Sequence, residues 1–265
     1  MEFVKDQLPT AEETALFFKS LPAVPQPIVP QTRVARLKAK SLAPENTGEE
    51  AFMGVTSPVV VAFADGVSAE KRSAVMKSVE FAEKYADTEA SRKFEPMKWY
   101  MAYGHALNNI GWTTPNFLFH DYDTSKINVT MDALVLDIIA QVAGINKAAF
   151  LPLMGKVLDT IKNDNALITL FDNNSKGENI GSFQLLPCLE SREGTPVAVF
   201  AGLECAFRSD EGGAWFWKWK SSNLEVQKSS SVIEMTFDTY KRAEPQIFEW
   251  LGQEQDNFFK RIKRS

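Results

Sequence analysis

Cysteine and histidine are scarce in this 265-residue chain, which has two of each: Cys188, Cys205, His105 and His120. Two thiols in a chain of this size do not make a disulfide framework, and both read as free. Two cysteines and two histidines, far apart in sequence, do not readily supply the ligands of a zinc site, so no metal is expected. Basic charge is not in excess either. With 29 Lys and Arg against 34 Asp and Glu, the net charge is −5, which excludes the broad cationic surface a nucleic-acid partner demands. The one local exception is Lys260, Arg261, Lys263 and Arg264 near the C-terminus. No apolar run approaches the roughly 20 residues of a membrane-spanning helix. The opening MEFVKDQLPTAEE has acids where a signal peptide carries basic residues and no apolar stretch follows it, so classical export is not expected. Glycine-rich phosphate loops, nucleophile elbows and zinc-binding helices are missing too, and no catalytic residue is assigned.

What is present suffices for one large core, since 45% of the residues are apolar. Thr10-Ala11-Glu12-Glu13 is a capping box, which starts a short helix through Phe17 and Phe18. Pro22, Pro25, Pro27 and Pro30 then exclude helix and predict an extended arm. The expected division is an N-terminal helix and Pro-rich arm over 1–50 and a single domain over 51–265.

Ser57 to Ala64 reads as a buried strand ended by Asp65-Gly66, and Ser68 as the cap of the next helix. In that helix Val75, Met76, Val79, Ala82 and Ala86 recur at helical spacing, while Glu70, Lys71, Lys77 and Glu83 read as its solvated flank. A further helix follows Pro96, then a loop to about Asn128. Between Thr130 and Asn163 two apolar stripes, one through Leu134 and Ile138 and one through Phe150, Met154 and Ile161, are parted by Gly144-Ile145-Asn146. They predict an antiparallel helical hairpin, either a core pair under a sheet or a pair able to lie on a membrane. From Ala166 the period becomes two. Ala166–Asp172, Ser182–Glu190, Pro196–Arg208, Ala214–Lys220 and Leu224–Asp238 predict an antiparallel meander. In the last of these the apolar phase changes between Val226 and Ile233, which predicts a bulge near Ser229-Ser230-Ser231. A final helix carries Ile247, Trp250, Leu251, Phe258 and Ile262.

Alternation along Pro196–Arg208 puts Cys205 on the same face as Val197, Val199 and Leu203. A cysteine there is either a small buried hydrophobe or a thiol at the floor of an apolar site, able to hold an acyl chain as a thioester. Cys188 is the second candidate. Catalysis by either thiol needs a base, and nothing in the sequence brings His105 or His120 to one. Trp215, Trp217 and Trp219 alternate, so their indoles share a face, either in the core or as an interfacial belt that the basic residues Lys260, Arg261, Lys263 and Arg264 would assist.

The order of elements, with SPVVVAFADG feeding a helix, MDALVLDIIAQVAG and AAFLPLMGKVLDTIKN as a helical pair, and a meander ending in IEMTFD, resembles the Cyt-type cytolysin fold. Within it, GLECAFRSDEGGAWFWKWKS is similar to the segment of the Erwinia virulence factor (Evf) family that carries a palmitoylated cysteine. The resemblance spans about residues 55–240. It implies an α+β fold, an α/β/α sandwich with helix layers on an antiparallel sheet. It also implies a non-enzymatic, S-acylated virulence factor that promotes persistence in an insect gut, with palmitate on Cys205. The implied partner is a lipid membrane or fatty acid, the implied location is the bacterial cytoplasm before release and then the extracellular space or host membranes, and oligomerisation on membranes stays open. The alternatives are a pore-forming cytolysin of Cyt type, a thiol-dependent acyltransferase and a soluble lipid carrier. Lys218, Lys220, Lys228 and Glu234 interrupt the long strands, which a lipid-facing barrel wall tolerates only on its lumen side.

Overall fold

The computed structural model describes residues 8–22, 48–114, 117–122, 130–175, 180–206, 225–252 and 258–262. Its elements run α1 (Ala11–Ser20), β1 (Glu50–Gly54), β2 (Val59–Phe63), α2 (Ala69–Glu89), α3 (Pro96–Asn109), β3 (Trp112–Thr113), β4 (His120–Tyr122), α4 (Met131–Val142), α5 (Lys147–Asn163), α6 (Asn165–Ser175), β5 (Ile180–Glu190), β6 (Pro196–Ala206), β7 (Glu225–Met235), α7 (Phe237–Leu251) and β8 (Phe259–Arg261). The eight strands form one sheet in the order β3-β7-β6-β5-β2-β1-β8, with β4 also paired to β7. The fold is α+β, as the sequence predicts.

Both faces of the sheet are covered, so each long strand divides its side chains between two apolar layers. On one side Phe52, Val59, Val61, Phe63, Leu186, Cys188, Ala198, Phe200, Ile233 and Met235 meet α1, α2, α3 and α7. On the other, Met53, Val60, Ala62, Phe183, Leu185, Val199, Ala201, Leu203, Cys205 and Val226 meet α4, α5 and α6.

This double burial removes the predicted bulge. The β6–β7 register runs without a slip from Val197↔Glu234 to Ala206↔Glu225, straight through the three serines. The apolar phase changes because β7 puts Val226 into one layer and Ile233 and Met235 into the other. The sheet is also mixed rather than wholly antiparallel: β5, β6 and β7 are a meander, but β2 and β5 are parallel neighbours, Val59↔Gln184 to Phe63↔Cys188. A parallel pair requires a crossover, and here α2 through α6 supply it.

Three predicted elements differ in kind. Ala166–Asp172 is part of a helix, not a strand: the Asp164 carboxylate accepts the Ala166 and Leu167 N–H groups at 2.8 and 3.2 Å, and Leu167 and Phe171, one turn apart, are buried. The last strand stops at Met235, and Phe237 opens α7. That helix ends at Gly252, whose φ is +72°, and Phe258 and Ile262 flank β8 on either side rather than lying in a helix. β8 pairs with β1 at the sheet edge.

The N-terminal capping box forms as predicted, with Thr10 and Glu13 exchanging hydrogen bonds of 2.8 and 3.2 Å. Phe17 of α1 packs edge-on against Phe81, Tyr85 and His105, which fastens this helix to the α2–α3 layer. The proline-rich stretch beyond Pro22 lies outside the described residues.

Candidate functional site: two buried thiols on opposite faces

Cys205 is the penultimate residue of β6, flanked across the sheet by Gly181 of β5 and Val226 of β7. Its odd position turns the sulfur toward the α4–α6 layer, where it belongs to one apolar cluster with Leu134, Val135, Ile138 and Leu203, and its exposure is 0%. Burial pushes this thiol far above its ordinary pKa, and the charge of neighbouring Glu204 adds to the shift. Cys188, on β5, faces the opposite layer and is equally buried. Burial pushes it up to about 12, with Glu190 adding to the rise and Arg72 opposing it. Both thiols are free. With the sheet between their side chains they do not face each other.

A nucleophilic cysteine needs thiolate character and a base within hydrogen-bond reach. Neither condition is met among the described residues. His105 sits in the α1–α3 layer, 5.3 Å from Phe17 and 6.2 Å from Tyr85 by ring centroids, on the opposite face of the sheet from Cys205. Cys188 faces the layer that holds His105, and its thiol donates to the Leu189 carbonyl at 3.6 Å. His120 is exposed on β4, with β7 between it and β6.

The other predicted site residues are not assembled with the thiols. Trp215, Trp217, Trp219, Lys263 and Arg264 lie outside the described residues. Lys260 is exposed on β8. Arg261, on the same strand, is not a free surface cation, because its guanidinium bonds the buried carboxylate of Glu50. Glu50 in turn takes Arg72 at 2.7 Å, where Arg72 is fully buried and also donates to the Val67 carbonyl at 2.8 Å. This three-residue ion network between β1, α2 and β8 is a feature that sequence reasoning missed. Beside it, a cavity of about 390 Å³ is lined by Glu49, Glu50, Ala51, Val157, Thr160, Arg261 and Ile262. The cavity lies at the β1–β8 edge and does not touch Cys205.

The layer over Cys205 is attached by polar contacts at its rim. Tyr122 donates to Asp137, Lys228 donates to Gln141, Lys156 pairs with Glu49 at 2.9 Å, and the Asn174 amide donates to the carbonyls of Gly54 and Val55 at 3.1 Å. No described helix is long and apolar enough to cross a membrane. No group of three or more His, Cys, Asp or Glu among the described residues is placed to hold a metal ion.

No family model matches this chain, and neither does any curated protein. Among solved structures, one described as the structure of the Evf virulence factor is similar, with a TM-score of 0.43 and 12% identity over 92% of each chain.

Proposed function

We propose that this protein is a membrane-associating virulence factor that carries a fatty acyl chain, palmitate by the sequence resemblance, as a thioester on Cys205 and turns over no substrate. The observation that carries the reading is the position of the Cys205 sulfur, at the floor of an apolar layer between the sheet and α4–α6. An acyl chain in such a layer gains about 0.8 kcal/mol per methylene removed from water.

The closed layer leaves the sulfur no exposure. Acylation and storage of the chain therefore require α4–α6 to move off the sheet, and the same movement would hand the chain to a bilayer. A single acyl chain gives only marginal, reversible membrane binding, so a second contact must add to it. Lys260 suits that role, and Arg261, engaged by Glu50, does not. The virulence and gut-persistence part of the reading follows from the resemblance of element order. Bacterial counts in insects fed strains with and without Cys205 test it.

The molecular part is tested by intact mass of protein purified from a source able to acylate it. The expected result is a fatty-acyl increment that hydroxylamine removes and that Cys205→Ala lacks, together with loss of liposome binding in the variant. An unmodified mass contradicts the proposal. Repeated turnover of an activated acyl ester would point instead to an acyltransferase, dye release from liposomes to a pore-former, and exchangeable lipid without a covalent bond to a carrier.

A further inference from the structure

We propose that the tip of the α4–α5 hairpin, with Ile145 at its apex, is a docking surface for a lipid bilayer with anionic headgroups. This deepens the membrane-associating reading above and rests on it. α4 ends where Gly144 takes a φ of +53°, a conformation that favours glycine, and the Ala143 N–H closes the last turn on the Ile139 carbonyl at 2.9 Å. An apolar residue just past such a glycine ordinarily folds back onto the helix it follows. Ile145 does not. It is 97% exposed, more than any other large apolar side chain among the described residues, so the fold makes no use of it. A single 3-10 turn, Gly144–Asn146, then leads into α5.

The surface around the apex is apolar and free of acid. Gly144, Ala148 and Ala149 are exposed, and Val142 and Leu151 are half-buried. Between Asp137 and Asp159 the chain has no carboxylate, although it has 34 in all, and across 142–151 the one charge is Lys147. Lys156, the next cation, stands about 14 Å further along α5 and is paired with Glu49. Lys147 opens α5, where the helix dipole favours an acid. The first turn has none, and Asn146 makes no capping bond there. Helix stability therefore does not account for this choice of residues. An apolar apex beside a cation fits the boundary between acyl chains and anionic headgroups.

A second exposed apolar group, Phe94, Met97 and Met101, lies on the α2–α3 side and is interrupted by Glu95, which pairs with Lys98 at 3.6 Å. It lacks the acid-free character of the tip. The tip also belongs to the helices whose stripes, through Ile138 and Phe150, cover Cys205. Docking there sets the bilayer against the layer that must lift to release an acyl chain.

The test uses Ile145→Cys in the Cys205→Ala protein, labelled with an environment-sensitive dye, the remaining thiol, Cys188, being buried. Mixed phosphatidylserine and phosphatidylcholine vesicles should shift the emission to the blue, phosphatidylcholine alone should shift it less, and the same dye at Phe94→Cys should not respond. In vesicle pelleting, Ile145→Asp should weaken binding about tenfold or more, as expected when one large apolar side chain no longer leaves water. Lys147→Glu should abolish the preference for phosphatidylserine. The proposal is overturned by no shift at position 145, by equal shifts at 145 and 94, by undiminished binding of Ile145→Asp, or by a preference that survives Lys147→Glu. Because the protein tested has no thiol at position 205, such a failure leaves the acylation reading to be decided separately by intact mass.

Discussion

The two faces of the sheet are both apolar but differently fastened. Toward α2 and α3, charged groups run into the interior: Arg72 meets Glu50, Arg92 meets Glu83, and Lys71 meets Glu190 at 2.9 Å, with the Ser68 N–H on the other oxygen of Glu190 at the same distance. Toward α4–α6 the apolar cluster holds one thiol and no ion pair is described inside it, and the side-chain contacts that tie α4 and α5 to the strands sit at the rim. Apolar packing is strong but non-directional, whereas a buried ion pair ties its partners to one geometry, because separating them strands a charge. The α2–α3 face is therefore the more rigidly tied side of the molecule, and the α4–α6 face is the side that the proposed acylation requires to lift.

The largest effect should come from the fixed side. Arg72→Leu strands Glu50 with only the half-exposed Arg261 and should cost about 3–5 kcal/mol in urea unfolding. A cost near that of a surface substitution would remove the contrast between the faces. Next comes the apolar side, where Ile138→Ala, at a fully buried position, should cost about 2–5 kcal/mol. In hydrogen exchange its effect should concentrate in α4–α6 and spare α2.

Cys205→Ser places a hydroxyl in the same apolar layer and should cost about 1–3 kcal/mol. Smallest is the rim: Gln141→Ala removes the exposed partner of Lys228 and should cost under about 1 kcal/mol in the same urea titration. Acid gives a further contrast. Burial acts to raise Glu190, but the Ser68 N–H and Lys71 outweigh it and hold its carboxyl below the ordinary value. Its contribution is present above the unfolded pKa and is lost as the pH falls through the folded one. Glu190→Gln should therefore flatten the acid limb of a stability–pH curve and leave the neutral limb unchanged.

Much of this architecture is legible in the sequence, because the stripes of α2, α4 and α5 and the alternation of β5 and β6 report which side chains are buried. The Cys205 face followed from alternation alone. Where the reading failed, burial on two faces or a cap had overridden the pattern. β7 looked bulged because period-two reasoning assumes one wet face, and Ala166–Asp172 looked extended because its β-branched and aromatic composition outweighed Asp164, a helix-starting residue.

Glu83 was read as solvated although it stands at stripe spacing, four residues after Val79 and seven after Met76. Arg72 stands seven before Val79. Both positions carried the signal of burial, and their charge hid it. β3, β4 and β8 are short and draw their ladders from distant partners, so no local pattern announces them.

The difference between the two faces is tested most directly by native-state alkylation of protein with both thiols free, because Cys205 and Cys188 are equally buried but lie under different layers. Lifting of α4–α6 predicts that Cys205 is modified first, through an opening less costly than global unfolding, with Cys188 following only at the unfolding rate. Modification of both at one rate equal to that of unfolding would contradict it.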